Sequence, residues 1–233
     1  MDVAAYRNES PKLYIHHVPQ KWMQSTETYN RMKLDPRFYA DFLQFDFMLT
    51  YELDAYVFSD QLDYWCERGF DYIGAPWFVD YGNTGARELW RVGNSGFSLR
   101  NVRACFRVLT SFTRLIPVKN LFGGMVRSLR GMHLRSAANQ FIQMAGIQNN
   151  THWRLDKHQG NEDIFWTVLI GQTSRAMNVA PIPDAIKFSF EMNPSMLFRM
   201  NNNTLPFGCH GWRKYEYNFW KSFIENQALA QAK

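Results

Sequence analysis

The sequence predicts a layered α/β fold, and three observations carry that expectation. Short aromatic and aliphatic runs bounded by turn residues read as buried strands. Stretches with apolar residues at three- and four-residue spacing read as amphipathic helices. The two kinds alternate along 233 residues, of which 46% are hydrophobic, enough to bury the core of one domain. The aromatic content of 16% suits either a Phe-rich core or a groove with stacking platforms.

Taken in order, KLYIHHV (12–18) reads as a strand and DPRFYADFLQF (35–45) as a helix with Pro36 in its first turn. FDFMLTYELDAYVF (45–58) gives a strand, a pair of carboxylates and a second short extended piece. SDQLDYWCERGF (59–70) reads as a helix capped by Ser59 or Asp60 and ended by Gly69. DYIGAPW (71–77) is a strand entering a Gly/Pro loop, and residues 80–100 are mostly loop. Leu99–Ile116 predicts a helix with Leu99, Val102, Phe106, Leu109 and Phe112 on one face. Leu121–Arg135 predicts another, weakened by Gly123, Gly124 and Gly131. A helix begins at Asn161, with Asn161 as cap and Glu162 and Asp163 in its first turn. IPDAIKFSFE (182–191) reads as strand-like, LPFGCHGWRKY (205–215) as turn-rich, and EYNFWKSFIENQALAQ (216–231) as a closing helix.

Three isolated cysteines, Cys66, Cys105 and Cys209, argue against a disulfide framework and a thiolate zinc site. The opening MDVAAYRNESPKLYIHH lacks the apolar core of a signal peptide, and no run of 18 apolar residues occurs. A cytoplasmic location is therefore expected. Charge is unevenly spread. From Leu89 to Leu155 there is no Asp or Glu, yet ten Arg and Lys stand there, against a net charge of +5 for the whole chain. Such a block suits phosphates, nucleic acid or an anionic membrane surface, or is simply a solvated helical face. The Met/Leu stripe of residues 121–135 can lie on a membrane, form a lid or pack in the core. No single-strand or helix-turn-helix motif accompanies the cations, so a nucleic-acid partner is not expected.

Four polar clusters sit among apolar residues. Glu52-x-Asp54 follows a buried strand, where alternate residues share a face. Two carboxylates placed so repel unless a cation lies between them, and hard divalent cations prefer such oxygens. VGNSGFSLR (92–100) offers Gly93 and Gly96 for close backbone approach and Asn94 and Ser95 as donors, or is a plain turn. In NEDIFW (161–166) the acids complement the helix dipole, or one of them projects as a general base. In PFGCHGW (206–212) His210 stands in a Gly-flanked turn and is a candidate ligand for a metal such as Mn.

These motifs, with YELDAYVFSDQLDYWCERGFDYIGAPW (51–77) first and LPFGCHGW (205–212) last, resemble in order a family of bacterial polysaccharide-cluster glycosyltransferases formerly catalogued as a domain of unknown function, DUF5672. The resemblance covers about Tyr29 to Trp220. It implies a GT-A-like nucleotide-diphospho-sugar transferase fold, a central, mostly parallel sheet flanked by helices, in one domain over residues 1–233 whose N-terminal nucleotide-binding part is short. It implies Asp54, with Glu52 beside it and His210 completing the site, as ligands of Mn²⁺ or Mg²⁺. Glu162 and Asp163 resemble the acidic pair at the acceptor side of inverting enzymes, with Asp163 as base. Asn94, Ser95, Gly96 and Ser98 resemble the loop that contacts sugar or acceptor, with Arg100 available to phosphate oxygens. Trp77, Trp90, Trp166 and Trp212 are candidate sugar platforms. The expected activity is transfer of a hexose, galactose in pyranose or furanose form among the options, from a nucleotide sugar (a UDP-sugar) to a saccharide acceptor in surface polysaccharide synthesis. A lipid-linked acceptor would place the protein at the inner membrane face, with peripheral contact through the basic 91–135 segment. The alternative is a catalytically silent module that binds a nucleotide sugar or carbohydrate.

Overall fold

A computed structural model describes residues 13–80, 85, 87–171 and 176–231. Part of the loop expected over 80–100, and Lys12 of the first expected strand, lie outside the described residues. A 3-10 turn over Gln20–Met23 precedes α1 (Thr26–Met32), which is capped by Ser25, whose hydroxyl accepts from Thr28 N while the Thr28 hydroxyl accepts from Ser25 N. Helix α2 (Pro36–Ala40) starts with Asp35 accepting from Arg37 N and Pro36 at its first position. There follow β1 (Phe47–Tyr51), β2 (Tyr56–Val57), α3 (Leu62–Glu67), β3 (Tyr72–Ile73), β4 (Pro76–Phe78), β5 (Leu89–Val92) and β6 (Phe97–Asn101).

The helical half comprises α4 (Val102–Thr110), α5 (Val118–Arg130), α6 (Leu134–Met144), α7 (Thr151–Lys157) and α8 (Glu162–Ile164), which continues as a π-helical turn over Phe165–Ile170. Helix α9 (Ile182–Phe188), strand β7 (Ser189–Phe190), α10 (Pro194–Met200), β8 (Gly208–Cys209) and α11 (Tyr217–Gln231) complete the chain.

The class is mixed α/β, but a central, mostly parallel sheet is not what the described residues form. Strand β6 lies between β1 and β3 and is antiparallel to both. β1 and β3 therefore run in the same direction, with α3 in the connection between them, as a parallel pair requires. β6 enters between them antiparallel because β3 reaches it through the β4–β5 hairpin rather than a helix. A second small sheet orders β2-β8-β7, its β7–β8 pair parallel.

Residues 13–18 form no strand. Leu99, expected in a helix, lies in β6, and the helix begins only at Val102, where the Asn101 side chain accepts from Ala104 N at 2.9 Å. Pairing on both edges outweighs the helical spacing that Leu99 happens to share. The segment expected to be strand-like at 182–191 is mostly α9, because Pro183 and Asp184 sit in its first turn and Ala185, Ile186 and Phe188 are buried. The single helix expected over 121–135 is two, broken at Gly131–His133 with Met132 at φ 58°.

The β1-β6-β3 sheet divides two cores. Phe97, Leu99 and Ile73 pack with Trp65, Phe188 and Phe207. On the other side Tyr39, Tyr72, Val102, Cys105, Phe165 and Trp166 pack together. Alternation along β6 thus turns Ser98 and Arg100 toward a different environment from Phe97 and Leu99.

Candidate functional site

At the end of β1 the chain turns sharply. Glu52 N donates to Gly96 O at 2.9 Å and Ala55 N to Glu52 O at 2.9 Å. That turn puts Leu53 in solvent and sends Glu52 and Asp54 toward one imidazole. His210, which follows β8, has its Nε2 3.1 Å from Asp54 Oδ1 and 3.5 Å from Glu52 Oε2, and its Nδ1 3.1 Å from Glu191 Oε1. The ring lies against Gly96, where an added Cβ would stand 2.1 Å from Nε2. One ligand atom from each of Glu52, Asp54 and His210 lies within 4.8 Å of the others. Oxygen and imidazole donors at that spacing fit a divalent cation of the Mn²⁺ or Mg²⁺ kind. Nearby, the buried Glu191 Oε2 and Asn94 Nδ2 have no hydrogen-bond partner, the condition of groups that await a ligand or water.

The electrostatics are those of a cation held among carboxylates. Burial alone would lower the His210 pKa, but hydrogen bonds to Glu191 and Glu52 and the charge of Asp54 outweigh it and raise it to about 10. Glu52 is held down at about 2, first by the His210 hydrogen bond and then, against burial, by Lys33. Lys33, on the chain just after α1, is buried and donates to Glu52 Oε1 at 2.9 Å and to the Ser95 hydroxyl. Burial lowers its own pKa. Tyr29 OH donates to the same Glu52 oxygen at 3.2 Å. A cation bound here would displace the imidazole proton, so its binding would strengthen with pH.

Beside this cluster Arg100 makes a two-pronged pair with Glu162 at 2.7 and 3.1 Å, with Tyr39 OH at 3.1 Å and the Ser98 hydroxyl at 3.1 Å as further partners. Both charged groups are fully enclosed. Asn30 on α1 accepts from Glu162 N at 3.0 Å. Asp163 is also buried, and burial with the charges of Glu162 and Glu191 pushes it up to about 7. Glu191, hydrogen-bonded to His210, is thus among the charges that act on Asp163 as well as on His210.

The remaining candidates divide. Asn94 sits at φ 67° and accepts from Gly96 N at 2.8 Å, which shapes the loop against His210. Gly96 lies against the His210 ring, and Ser95 reaches Glu52 through Lys33. Trp212 donates its backbone N to Asp54 O at 3.4 Å, and its ring, half-exposed, stacks on Tyr217. Trp77 is buried and stacks on Trp90 at 6.2 Å, with Trp90 the more exposed. Trp166 is enclosed between Tyr39 and Phe165, so it offers a sugar no face. Arg100 and Glu162 are spent on each other, which turns the expected phosphate contact and acidic partner into the strut that positions Asp163. Tyr29, Lys33 and Glu191 were not anticipated. The first two share a helical face at i, i+4, the only signal the sequence carries for them; Glu191 is joined to His210 only through the β7–β8 pairing.

Across α1 from Tyr29 and Lys33, a cleft of about 950 Å³ is lined by Trp22, Gln24, Thr28, Arg31, His158 and Gln159, among others. The loop that walls it runs directly into Asn161–Asp163. No described helix is long and apolar enough to cross a membrane. A family model described as a protein of unknown function, DUF5672, matches residues 12–210 and so takes in every residue of the cluster. No curated protein and no solved structure matches the chain.

Proposed function

We propose, of a chain that belongs to the DUF5672 family, that it transfers a hexose from a nucleotide-sugar donor to a saccharide acceptor, with inversion. The observation that carries this is the meeting of Glu52, Asp54 and His210 in one cluster, whose His210 is hydrogen-bonded to Glu191, a carboxylate that also acts on Asp163. The resemblance of the four motifs to polysaccharide-cluster glycosyltransferases supports it, as does the position of the acid pair after β1. On this reading the β1-β6-β3 sheet is the heart of a GT-A-like fold.

Mn²⁺ or Mg²⁺, held by Asp54, His210 and Glu52, would supply charge neutralisation to a diphosphate leaving group. The protein's own groups do the rest. Lys33 and Tyr29 fix Glu52, and Glu191 fixes His210 through Nδ1. Asp163, with its pKa near 7, is suited to take a proton from an acceptor hydroxyl. Glu162 is held by Arg100, so it sets the backbone from which Asp163 projects. The cleft beyond α1 carries an indole, two amides and a hydroxyl, groups that suit a saccharide. The sugar, the linkage and a UDP carrier belong to the resemblance alone.

The test is a nucleotide-sugar panel with Mn²⁺ and oligosaccharide acceptors. Asp163→Asn is expected to lower transfer by about 10²–10⁴-fold while calorimetry still records donor binding; Asp54→Asn is expected to weaken metal-dependent donor binding itself. Full turnover in Asp163→Asn would reject the assigned base. A second reading, a silent nucleotide-sugar-binding module, is favoured by the deep burial of Asp163. Donor binding without turnover on any acceptor would select it.

A further inference from the structure

We propose that the α5–α6 hairpin is a docking surface for an anionic lipid bilayer. The two helices pack chiefly on each other. Gly124 lets them close, since a Cβ there would meet Gln140 at 2.8 Å. Leu121, Gly124 and Ala137 are the buried residues along them. Large apolar side chains remain in solvent instead: Met132 is 86% exposed, Leu134 70%, Phe141 64% and Phe122 53%. Met132 and Leu134 stand at the tip, where the backbone reverses. Phe122 with Leu129, and Leu134 with Phe141, lie seven residues apart and so share a face of their helices. A cluster of large apolar groups left in water marks a binding surface.

The charge of the same hairpin names the partner. Lys119, Arg127, Arg130 and Arg135 are all exposed, and no acid stands between Leu89 and Leu155 to offset them. Lys119 and Arg130 flank the Phe122–Leu129 stripe on its own helix face. Cations beside a Phe/Leu/Met face match lipid phosphates above an acyl layer. A nucleic acid would use the cations and leave the aliphatic groups in water. A second copy of the chain would set cation against cation. Membrane docking here does not depend on the transfer chemistry, since no residue of the Glu52–Asp54–His210 cluster takes part.

The test is flotation of the full chain with phosphatidylcholine vesicles, with and without phosphatidylglycerol. Binding is expected only to the phosphatidylglycerol vesicles, and it should weaken with salt. The variant Lys119→Gln/Arg130→Gln/Arg135→Gln should bind about 100-fold more weakly. Met132→Ser/Leu134→Ser should lose about tenfold or more, and both should keep the wild-type thermal midpoint because every altered side chain is exposed. Failure of the wild type to float at low salt would overturn the docking surface. So would equal binding to neutral vesicles, unchanged binding of both variants, or retention of random-sequence DNA or a dimer by these residues in place of vesicles.

Discussion

Gly96 shapes the site by carrying no side chain. The imidazole of His210 occupies the space where its Cβ would be, and the loop keeps that approach because Asn94, in a left-handed conformation, accepts from Gly96 N. Gly96→Ala must therefore push the ring away from Asp54 and Glu52, at a cost of about 1–3 kcal/mol from overpacking. Without those carboxylates the pKa of His210 should fall from about 10 toward the ordinary histidine value of about 6.5. Titration of the imidazole resonances by NMR checks this; a His210 that still titrates near its wild-type value in the alanine variant would show that Gly96 does not set the ring.

At the scale of elements, the Arg100–Glu162 pair ties β6 to α8, and Asn30 ties α8 to α1. Both charges are fully buried, so each needs the other. Glu162→Gln leaves Arg100 without its counter-charge and is expected to cost about 3–5 kcal/mol in denaturant unfolding. Arg100→Met/Glu162→Leu, which removes both charges, should recover much of that loss. If the double variant is as unstable as the single one, packing rather than charge pairing joins these elements. The π-helical turn after α8 belongs with the strut, since Phe165 and Trp166 on it pack into the core beneath Arg100. Asp163 thus projects from a segment held on both sides, the rigidity a proton acceptor requires.

For the whole molecule, the site's charges write a pH dependence into stability. Glu52 has its pKa lowered to about 2, so its contribution is present above 4.5 and is lost as pH falls through 2. His210 has its pKa raised to about 10, so its contribution is full below 6.5 and is lost as pH rises through 10. Asp163 has its pKa raised from 3.8 to about 7, so stability declines between those values as its buried carboxyl ionises. In metal-free buffer, stability should peak on the acid side of neutrality and fall toward pH 10. Asp163→Asn should remove the decline between about pH 4 and pH 6.5, below the range in which the His210 contribution is lost, which urea midpoints across the range would show; a wild-type midpoint that holds steady through that range would mean that Asp163 keeps an ordinary pKa.

The sequence by itself determined what short-range chemistry encodes: the strand that stops at an acid-x-acid pair, the proline start of α2, the Gly69 stop after α3, and a basic block free of acids. Neighbouring residues compete directly for those outcomes, so a few positions suffice to read them. Only the tertiary structure decided that Leu99 is strand rather than helix, that β6 runs antiparallel between β1 and β3, and that Arg100 and Glu162 neutralise each other. It alone brought Lys33, Tyr29 and Glu191 to Glu52 and His210. The physical reason is burial: once a strand is paired on both edges and a charge has left water, partners from distant parts of the chain outweigh local preference, and nothing in the spacing of residues names those partners.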